Sequence, residues 1–463
     1  MAAALVALRC YHGLGEVRNA SRLKNFSGNL AHPAGYSRPL GYHLLNVRER
    51  VGSSKTLGTP MDDKAEAYNL ILRTAELLHA YGTPAHRLER VMESVAQSVD
   101  VRASFFASPT SIMVSFRDQP QHATSLVRVE PGNVDLGKLA EFDEVLERLA
   151  DGKIGATEAL TELNQLASTG SRWPSALRAC AFGWTSGTAA VLFRGGIAEA
   201  GLSACIGIAI VVLSLLLPRK PATVGLFEPM AAFLSAALAI IGAQLLPGVD
   251  HRLVALASII VLLPGLTLTT AFTELATHHL TSGTSRLAGA AVVLLMLLLG
   301  VAMAWRLGEV LGFNAQSPLV RFPLPPIATY GAVLLAPFSF AILFEARARE
   351  FPVIWITCIV GFLATILGKE VLGSDLAGGA GALAVGLISN LYARWKDRPA
   401  IIPLTPGILI LVPGSLGYRS LTAFLESDTT LGIAMAFQTG LVAISLVGGL
   451  LLSNVIIPPR RIL

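Results

Sequence analysis

The stretch Ile259–Glu274, IIVLLPGLTLTTAFTE, begins with a run of strongly apolar residues. It continues with a Pro-Gly pair, three threonines and a carboxylate. A continuous helix favours neither Pro264 nor Gly265, because proline removes a backbone donor and glycine relaxes the backbone. A second version, ILILVPGSLGYR, occupies Ile408–Arg419, where Pro413 follows Pro264 at an offset of 149 residues. Matching interruptions in two halves of a membrane chain indicate a transporter's binding site.

The same offset of 149 residues relates three further pairs of glycines: Gly265 and Gly414, Gly283 and Gly432, and Gly300 and Gly449. This offset spans five apolar segments. Because five is odd, the second copy must lie upside down relative to the first. The pattern therefore predicts two inverted five-helix repeats, the plan of many secondary transporters.

The composition indicates an integral membrane protein. Of the 463 residues, 53% are hydrophobic and only 14% are charged, whereas soluble proteins carry about 25% charged residues. Beyond the polar N-terminal part, ten apolar segments are mostly about 17–25 residues long, enough to cross a bilayer as helices. They lie near 174–193, 196–217, 222–246, 252–275, 285–306, 326–344, 352–368, 374–392, 400–421 and 430–457.

Four parts follow from this pattern: 1–60, a basic disordered leader; 61–170, a cytoplasmic α+β domain; 171–322, the first membrane repeat; and 323–463, the second. The leader carries eight Lys/Arg against two acidic residues. That bias is typical of an organellar transit peptide. A start codon assigned too early, with Met61 as the true start, is the alternative.

The sequence of the polar part predicts two helices, followed by three strands and then two more helices. The first helix covers Tyr68–Tyr81 and stops at Gly82, and Thr83-Pro84 opens the second. The strand-like runs and the last helices are Val101–Ala107, Ser111–Phe116, Thr124–Glu130, Asp135–Ala150 and Thr157–Ala167. This order predicts a small α+β unit in front of the membrane helices.

The basic residues of the short loops predict the orientation. If the polar part is cytoplasmic, twelve Lys/Arg lie inside and six outside. The positive-inside rule then places both termini in the cytoplasm, and the plasma membrane is the expected location. An organellar membrane is the alternative if the leader is a transit peptide. The net charge of +5 belongs to these loops and the leader, so no nucleic-acid partner is expected.

Four stretches resemble the threonine/serine exporter (ThrE) family, over roughly residues 64–458. They are the Gly-Thr-Pro-x-x-Arg turn at Gly82–Arg87, the strand-and-helix run from Val101 to Leu149, LLPGLTLTTAFTEL at Leu262–Leu275 and TPGILILVPGSLGYRSL at Thr405–Leu421. The resemblance implies a cytoplasmic domain before ten spans, and proton-driven export of small hydrophilic amino acids. Because the family includes dicarboxylate exporters, the resemblance does not fix the substrate.

The broken helices are the predicted substrate site. Free backbone groups at membrane depth are tolerated only where protein or a water-filled cavity satisfies them, and half-helix N-termini can hold a carboxylate. A plain proline kink, threonine back-bonding to the helix, and a surface position for the arginine are the alternatives. The predicted residues are Pro264, Gly265, Thr267, Thr269, Thr270, Thr405, Pro406, Gly407, Pro413, Gly414, Tyr418 and Arg419, with Thr405-Pro406-Gly407 forming a third break.

Two carboxylates are candidate proton carriers, because membrane ionisable groups are costly to bury. Glu228 is expected about two turns inside the third segment. Glu274 ends the fourth segment beside His278 and His279, where an interfacial loop is the favoured interpretation. The adjacent histidines have no carboxylate or cysteine partners at metal-binding spacing, so neither a metal nor a cofactor is expected.

Other function classes have weaker support in the sequence. No GxSxG, HExxH, phosphate-binding or dinucleotide-binding motif occurs in a suitable context, so no enzyme is predicted. A dicarboxylate exporter, a channel, or a structural membrane protein whose soluble domain recruits partners are the alternatives. A small-molecule substrate and the lipid bilayer are the expected partners, and a homo-oligomer is left open.

Overall fold

The computed structural model describes residues 60–117, 123–217, 225–313, 323–412, 414–426 and 428–459. The predicted leader up to residue 59, and Pro413 of the second motif, lie outside the described residues. The described chain is mainly helical, as the sequence predicts.

The N-terminal elements have the predicted order. They are α1 (Pro60–Ala80), α2 (Ala85–Ser98), β1 (Ala103–Ser108), β2 (Ser111–Phe116), β3 (Thr124–Arg128), α3 (Leu136–Ala150) and α4 (Ala156–Ser168). The strands form an antiparallel sheet in the order β1-β2-β3. We call these seven elements the α+β unit. That the unit is a separate domain stays a prediction.

Alternating side chains explain how the sheet packs. On β2, Ile112, Val114 and Phe116 are buried while the side chains between them are not, the period-two pattern of a half-buried strand. The apolar stripe of α2, including Leu88 and Met92, is buried in the same core.

Each of the ten predicted apolar segments contains a helix, and two of them contain a pair of shorter helices. They are α5 (Ser175–Leu192), α6 (Ile197–Leu216), α7 (Phe227–Leu245), α8 (His251–Ser258), α9 (Gly265–Ala276), α10 (Leu280–Val310), α11 (Ile327–Leu343), α12 (Phe351–Leu372), α13 (Ala377–Lys396), α14 (Ile401–Leu409), α15 (Gly414–Leu425) and α16 (Thr429–Ile456).

The helices identify a polytopic membrane protein. Among the described residues, six helical segments are long and apolar enough to cross a membrane, or seven if the bent pair α8–α9 counts as one span. The six include α6, α7, α10, α12, α16 and the α14–α15 region. The helices α5, α11 and α13 fall outside that set, so the full count of ten spans stays a prediction.

The α+β unit contacts one end of the membrane helices. The amide of Ala85 donates to Glu274 near the end of α9 (2.9 Å), and the amide of Leu136 donates to the carbonyl of Phe344 after α11 (2.9 Å). Arg398, after α13, pairs with Glu144 of α3. We call this the α+β end. The opposite end, where α8 begins and α15 finishes, is called the far end.

Candidate functional site

The first predicted break is present. After α8, a single 3-10 turn over Ile260–Leu262 leads to Leu263 and Pro264, and α9 then begins at Gly265. The axes of the two segments differ by 50°. Leu263 has extended dihedrals (φ −66°, ψ 129°), as expected for a residue that precedes proline.

The second predicted break also separates two helices. Helix α14 ends at Leu409, and a new helix, α15, begins at Gly414. Residues 410–412 between them are not helical. Pro413 itself lies outside the described residues, so its predicted contribution is untested.

The two breaks lie against each other. A Cβ atom added to Gly414 would lie 3.2 Å from the Cα atom of Gly265, and a Cβ added to Gly265 would lie 2.7 Å from a methyl of Val412. The absence of a side chain at both positions allows this close approach. Because α9 and α15 both begin here, two helix N-termini with their positive dipole ends lie together. We call this contact the crossing.

The predicted threonines have different surroundings. Thr269 is buried, and its hydroxyl donates to the carbonyl of Gly265 (3.1 Å). That is the back-bonding expected of threonine inside a bent helix. Thr267 and Thr270 are half-buried on α9. A role in substrate binding stays a prediction for all three.

The predicted third break at Thr405-Pro406-Gly407 is wrong. Helix α14 continues through Pro406 and ends three residues later at Leu409. Pro406 is the sixth residue of the helix, where proline removes the hydrogen bond to the carbonyl of Ile402, and the helix nevertheless continues for three more residues. Gly407 instead allows close packing, since a Cβ there would lie 2.8 Å from Val385 and 2.9 Å from Thr357.

Tyr418 and Arg419 line a polar cavity at the far end, with a volume of about 330 Å³. Its other charged lining residues are Asp250, Arg252 and Glu426. The guanidinium of Arg252 pairs with the Glu426 carboxylate at 2.6 Å. The role of Tyr418 and Arg419 in substrate binding stays a prediction.

Aromatic rings hold both guanidiniums of the cavity. The Arg419 guanidinium lies 5.1 Å from the ring centroid of Phe193, and that of Arg252 lies 5.4 Å from Trp305. Sequence reasoning missed Asp250, Arg252 and Glu426. In the sequence analysis Arg252 counts only as a loop cation. No motif near Arg252 or near Glu426 indicates that the two residues pair.

Glu228 lies nearer the helix end than predicted. Helix α7 begins at Phe227, so Glu228 is in its first turn and is only partly buried. The predicted segment began at residue 222, but Pro229 is favoured in a first helical turn and sets the later start. The predicted role of Glu228 in proton coupling is untested.

Glu274 is buried, not in the interfacial loop that the sequence favoured. Its carboxylate has no exposed surface and accepts hydrogen bonds from the Ala85 amide (2.9 Å) and the Ser282 hydroxyl (2.8 Å). It also pairs with Arg286 at 3.0 Å. Glu274 therefore joins α9, α10 and the start of α2, and its predicted proton-carrier role is untested.

Histidines surround this junction. His279 lies 3.3 Å from the carboxylate of Glu89 on α2, and its ring centroid is 6.1 Å from that of His86. Burial, and after it the charges of Arg87 and His279, lower the pKa of His86 from 6.5 to about 3. His86 is consequently neutral at physiological pH.

A second group of ion pairs fastens α3 to the helix ends. Glu144 accepts from Arg347 (2.8 Å), Arg349 (3.1 Å) and Arg398. Burial raises the pKa of Glu144, but the hydrogen bond from Arg398 and the charge of Arg347 outweigh burial and bring that pKa below its usual value. One carboxylate thus ties two separate inter-helix connections to the α+β unit.

Two family models match the chain. One, the threonine/serine exporter model ThrE, matches residues 69–308. The other, described as "Threonine/Serine exporter, ThrE", matches residues 330–456. No solved structure matches the chain.

Curated relatives include fungal and bacterial proteins. "Pheromone-regulated membrane protein 10" of Yarrowia lipolytica is 26% identical over 378 residues, which is 78% of this chain and 31% of that protein. An uncharacterized protein of Schizosaccharomyces pombe is 24% identical over 80% of this chain and 50% of its own length. "Probable threonine/serine exporter" of Mycobacterium tuberculosis is 27% identical over 85% of this chain and 77% of its own length. The chain thus spans half or less of the two fungal proteins.

Proposed function

The chain belongs to the threonine/serine exporter (ThrE) family, and we propose that it is a secondary transporter that exports small hydrophilic amino acids such as threonine and serine. The proposed substrate path runs between the two broken spans. The observation that carries this proposal is the crossing, where Gly265 and Gly414 touch and two helix N-termini meet. Such N-termini favour a carboxylate, the one charged group that all α-amino acids share with dicarboxylates.

We further propose ten spans in two inverted repeats. The glycine pairs at the offset of 149 residues support this, because their surroundings match. A Cβ on Gly283 would lie 2.7 Å from Leu275 of α9, and one on Gly432 would lie 2.9 Å from Phe424 of α15. Leu275 and Phe424 are themselves 149 residues apart.

The third glycine pair gives the same result. A Cβ on Gly300 would clash with the carbonyl oxygen of Pro229 on α7, and one on Gly449 would clash with that of Gly379 on α13. Two long helices, α10 and α16, thus pack by equivalent glycines against equivalent helices, α7 and α13, although the contacted residues Pro229 and Gly379 are 150 positions apart. Close packing at small residues is a common device between membrane helices.

An apolar cavity between the proposed repeats adds support. Its volume is about 400 Å³, and its lining includes four pairs of residues 149 positions apart: Leu268 and Gly417, Phe272 and Leu421, Leu287 and Ala436, and Ala291 and Gly440. A cavity lined in pairs from both copies is expected on the axis that relates two repeats.

In this proposal the first repeat covers 171–322, the second covers 323–463, and residues 61–170 form a cytoplasmic domain. The count of loop cations supports the cytoplasmic placement of the α+β end, together with both termini. The plasma membrane is the proposed location, and an organellar membrane follows only if residues 1–60 act as a transit peptide.

Proton antiport completes the proposal, with Glu228 and Glu274 as the carboxylates to test. Glu274 has a structural duty in addition, because it accepts hydrogen bonds from both α2 and α10. Glu228 lies at the first turn of α7. Glu228→Gln should therefore abolish the response to a pH gradient without affecting assembly. If proton-coupled flux persists in Glu228→Gln, that residue has no part in coupling.

Counterflow in proteoliposomes tests the function. The full chain is reconstituted with unlabelled solute inside and labelled solute outside, for a panel of amino acids and dicarboxylates. We expect uptake of labelled threonine and serine, and faster net export when a pH gradient is imposed. Uptake of dicarboxylates alone would assign the other substrate class, downhill flux without a pH response would indicate a channel, and no flux for the whole panel would reject a transporter.

A further inference from the structure

The polar cavity at the far end has the charge balance of a site for a zwitterion. Its lining holds two guanidiniums, Arg252 and Arg419, and two carboxylates, Asp250 and Glu426. A dicarboxylate would place two further negative charges on a lining whose net charge is zero. A neutral molecule with one carboxylate and one ammonium leaves that balance unchanged, and each of its groups finds an opposite charge.

Arg419 is the group available to a ligand carboxylate. Asp250 caps α8, accepting from the amides of Arg252 (3.0 Å) and Leu253 (3.4 Å), and Arg252 is paired with Glu426. Arg419 forms no ion pair within 4 Å of any described residue, although it lies near enough to Asp250 for the two charges to interact. Its guanidinium lies 5.1 Å from the centroid of the Phe193 ring. The planar fork of a guanidinium suits bidentate binding of a carboxylate.

The Arg252–Glu426 pair supplies the opposite pole. Its two side chains are 45% and 36% exposed, so both remain accessible from the far side. A carboxylate has room for more than one donor, and Glu426 can accept from a ligand ammonium while it keeps its contact with Arg252. The Trp305 ring beside Arg252 adds an aromatic face that attracts cations.

The cavity lies close to the crossing. Arg419 is in the second turn of α15, which begins at Gly414, and Leu256 of the cavity wall is in the last turn of α8 before the first break. A volume of about 330 Å³ is near the lower limit of ligand pockets, about 300–1,000 Å³. The cavity is therefore of a size for a small ligand beside the crossing.

We infer that this cavity is a binding subsite for a small zwitterionic α-amino acid, with the ligand carboxylate on Arg419 and the ligand ammonium at Glu426. The inference rests on the proposed function, since it names the substrate class and one subsite of the same path. It also separates the amino acid from the dicarboxylate alternative, because only the zwitterion uses both poles of the cavity.

Ligand competition on the wild-type chain tests the inference without any substitution. The purified full chain in nanodiscs is incubated with radiolabelled threonine and challenged with threoninol, which lacks the carboxylate, with 3-hydroxybutyrate, which lacks the ammonium, and with succinate. Each competitor should bind at least about tenfold more weakly than threonine, the effect of losing one charge-assisted contact. Binding of any one of the three competitors as tightly as threonine would overturn the inference.

Two substitutions locate the binding. Arg419→Gln removes the carboxylate partner and should weaken threonine binding at least about tenfold while leaving the residual binding of threoninol unchanged. Arg306→Gln is the matched control. Arg306 lies where α10 reaches the far end, and its side chain is 82% exposed. Among the described residues its only ion-pair partner is Glu309. Equal threonine affinity in Arg419→Gln and the control would overturn the subsite.

Comparing binding with counterflow separates this inference from the proposed function. If wild-type chain transports threonine and Arg419→Gln binds and transports it equally well, the subsite is wrong and the exporter stands. If the wild type binds threonine through Arg419 but shows no flux, the subsite stands and the exporter is wrong. If nanodiscs bind no threonine at millimolar concentration, the subsite is rejected. A variant that fails to elute as a single species is replaced by Arg419→Lys, for which weaker threonine binding is again required.

Discussion

The two ends of the membrane helices carry similar charges and use them differently. At the α+β end, Glu274 is completely buried and its partner Arg286 is 16% exposed. At the far end, Arg252 and Glu426 pair at a similar distance but are 45% and 36% exposed. Removing one partner of a buried ion pair is costly, because the remaining charge is left with neither its partner nor water. Exposed ion pairs contribute little to stability.

This difference suggests a division of labour. The ion pairs at the α+β end fasten helix connections to the α+β unit. At the far end the charged groups line a cavity and remain accessible. The same residue types thus hold the molecule together at one end and, in our proposal, receive substrate at the other.

The largest expected effect is that of Glu274→Ala. The substitution leaves the Arg286 cation and the Ala85 amide without their acceptor in a buried junction. We expect a loss of about 3–5 kcal/mol in the free energy of unfolding, as for other broken buried pairs. Thermal unfolding of the purified chain measures it.

The matched control for Glu274→Ala is on the same helix as Arg286. Glu309→Ala removes an exposed partner of Arg306, whose pair is 82% and 64% exposed, and should cost less than about 1 kcal/mol. Similar losses for the two variants would contradict the comparison of the two ends.

The second-largest expected effect is a loss of stability of the α+β unit in acid. Burial lowers the pKa of His79 from 6.5 to about 4, with the charge of Arg286 adding to the effect, and its Nε2 contacts the carbonyl of Pro109 at 2.9 Å. Since the unfolded chain binds this proton first, the contribution of His79 to stability falls as the pH drops below 6.5 and levels off near pH 4. The slope is up to about 1.4 kcal/mol per pH unit.

Unfolding measured between pH 7 and pH 4 checks the His79 prediction. In His79→Gln the slope of the unfolding free energy against pH should decrease by up to about 1.4 kcal/mol per pH unit, because one titrating group is gone. An unchanged slope would show that His79 does not contribute to the acid sensitivity.

The crossing should tolerate no side chain. Gly414→Val adds a branched Cβ that would lie 3.2 Å from the Gly265 backbone and 3.3 Å from Leu263. Such overpacking costs about 1–3 kcal/mol, and we expect counterflow to be lost even where the protein still folds. Gly448→Val is the control on α16, since a Cβ there has no described atom within 4 Å. Full counterflow activity in Gly414→Val would remove the crossing from the path.

The smallest effect on stability is expected at the far end. Glu426→Gln breaks the exposed pair with Arg252 and should change the free energy of unfolding by less than about 1 kcal/mol. Because salt screens exposed pairs, the difference should shrink further at high ionic strength. A loss as large as that of Glu274→Ala would mean that the far end is also a structural junction.

The sequence predicted what depends on neighbouring residues. Pro264 and Gly265 interrupt their helix through backbone chemistry that any proline and glycine bring, and the α+β element order follows from local periodicity. The same reasoning failed at Pro406, where the sequence predicted a break. There proline removes the hydrogen bond to the carbonyl of Ile402, and the helix nevertheless continues to Leu409.

What depends on distant residues could not be predicted. Glu274 looked interfacial because its neighbours are histidines, but the Ala85 amide that buries it is 189 positions away in the chain. The cavity at Arg419 draws Asp250 and Arg252 from the other broken span. No local pattern of apolar residues and no short motif predicts such contacts between distant residues. The offset of 149 residues indicated only which two segments correspond.

Side-specific labelling tests the central claim, that substrate passes between the crossing spans. Thr270→Cys on α9 and Thr422→Cys in the cavity wall are made in a chain whose four native cysteines are replaced by alanine, and reconstituted. A membrane-impermeant maleimide is then applied to each side, with and without threonine. We predict that Thr422→Cys reacts from the far side and that threonine slows the labelling of both positions. Labelling that threonine leaves unchanged at both positions, in protein that still exports threonine, would contradict the account.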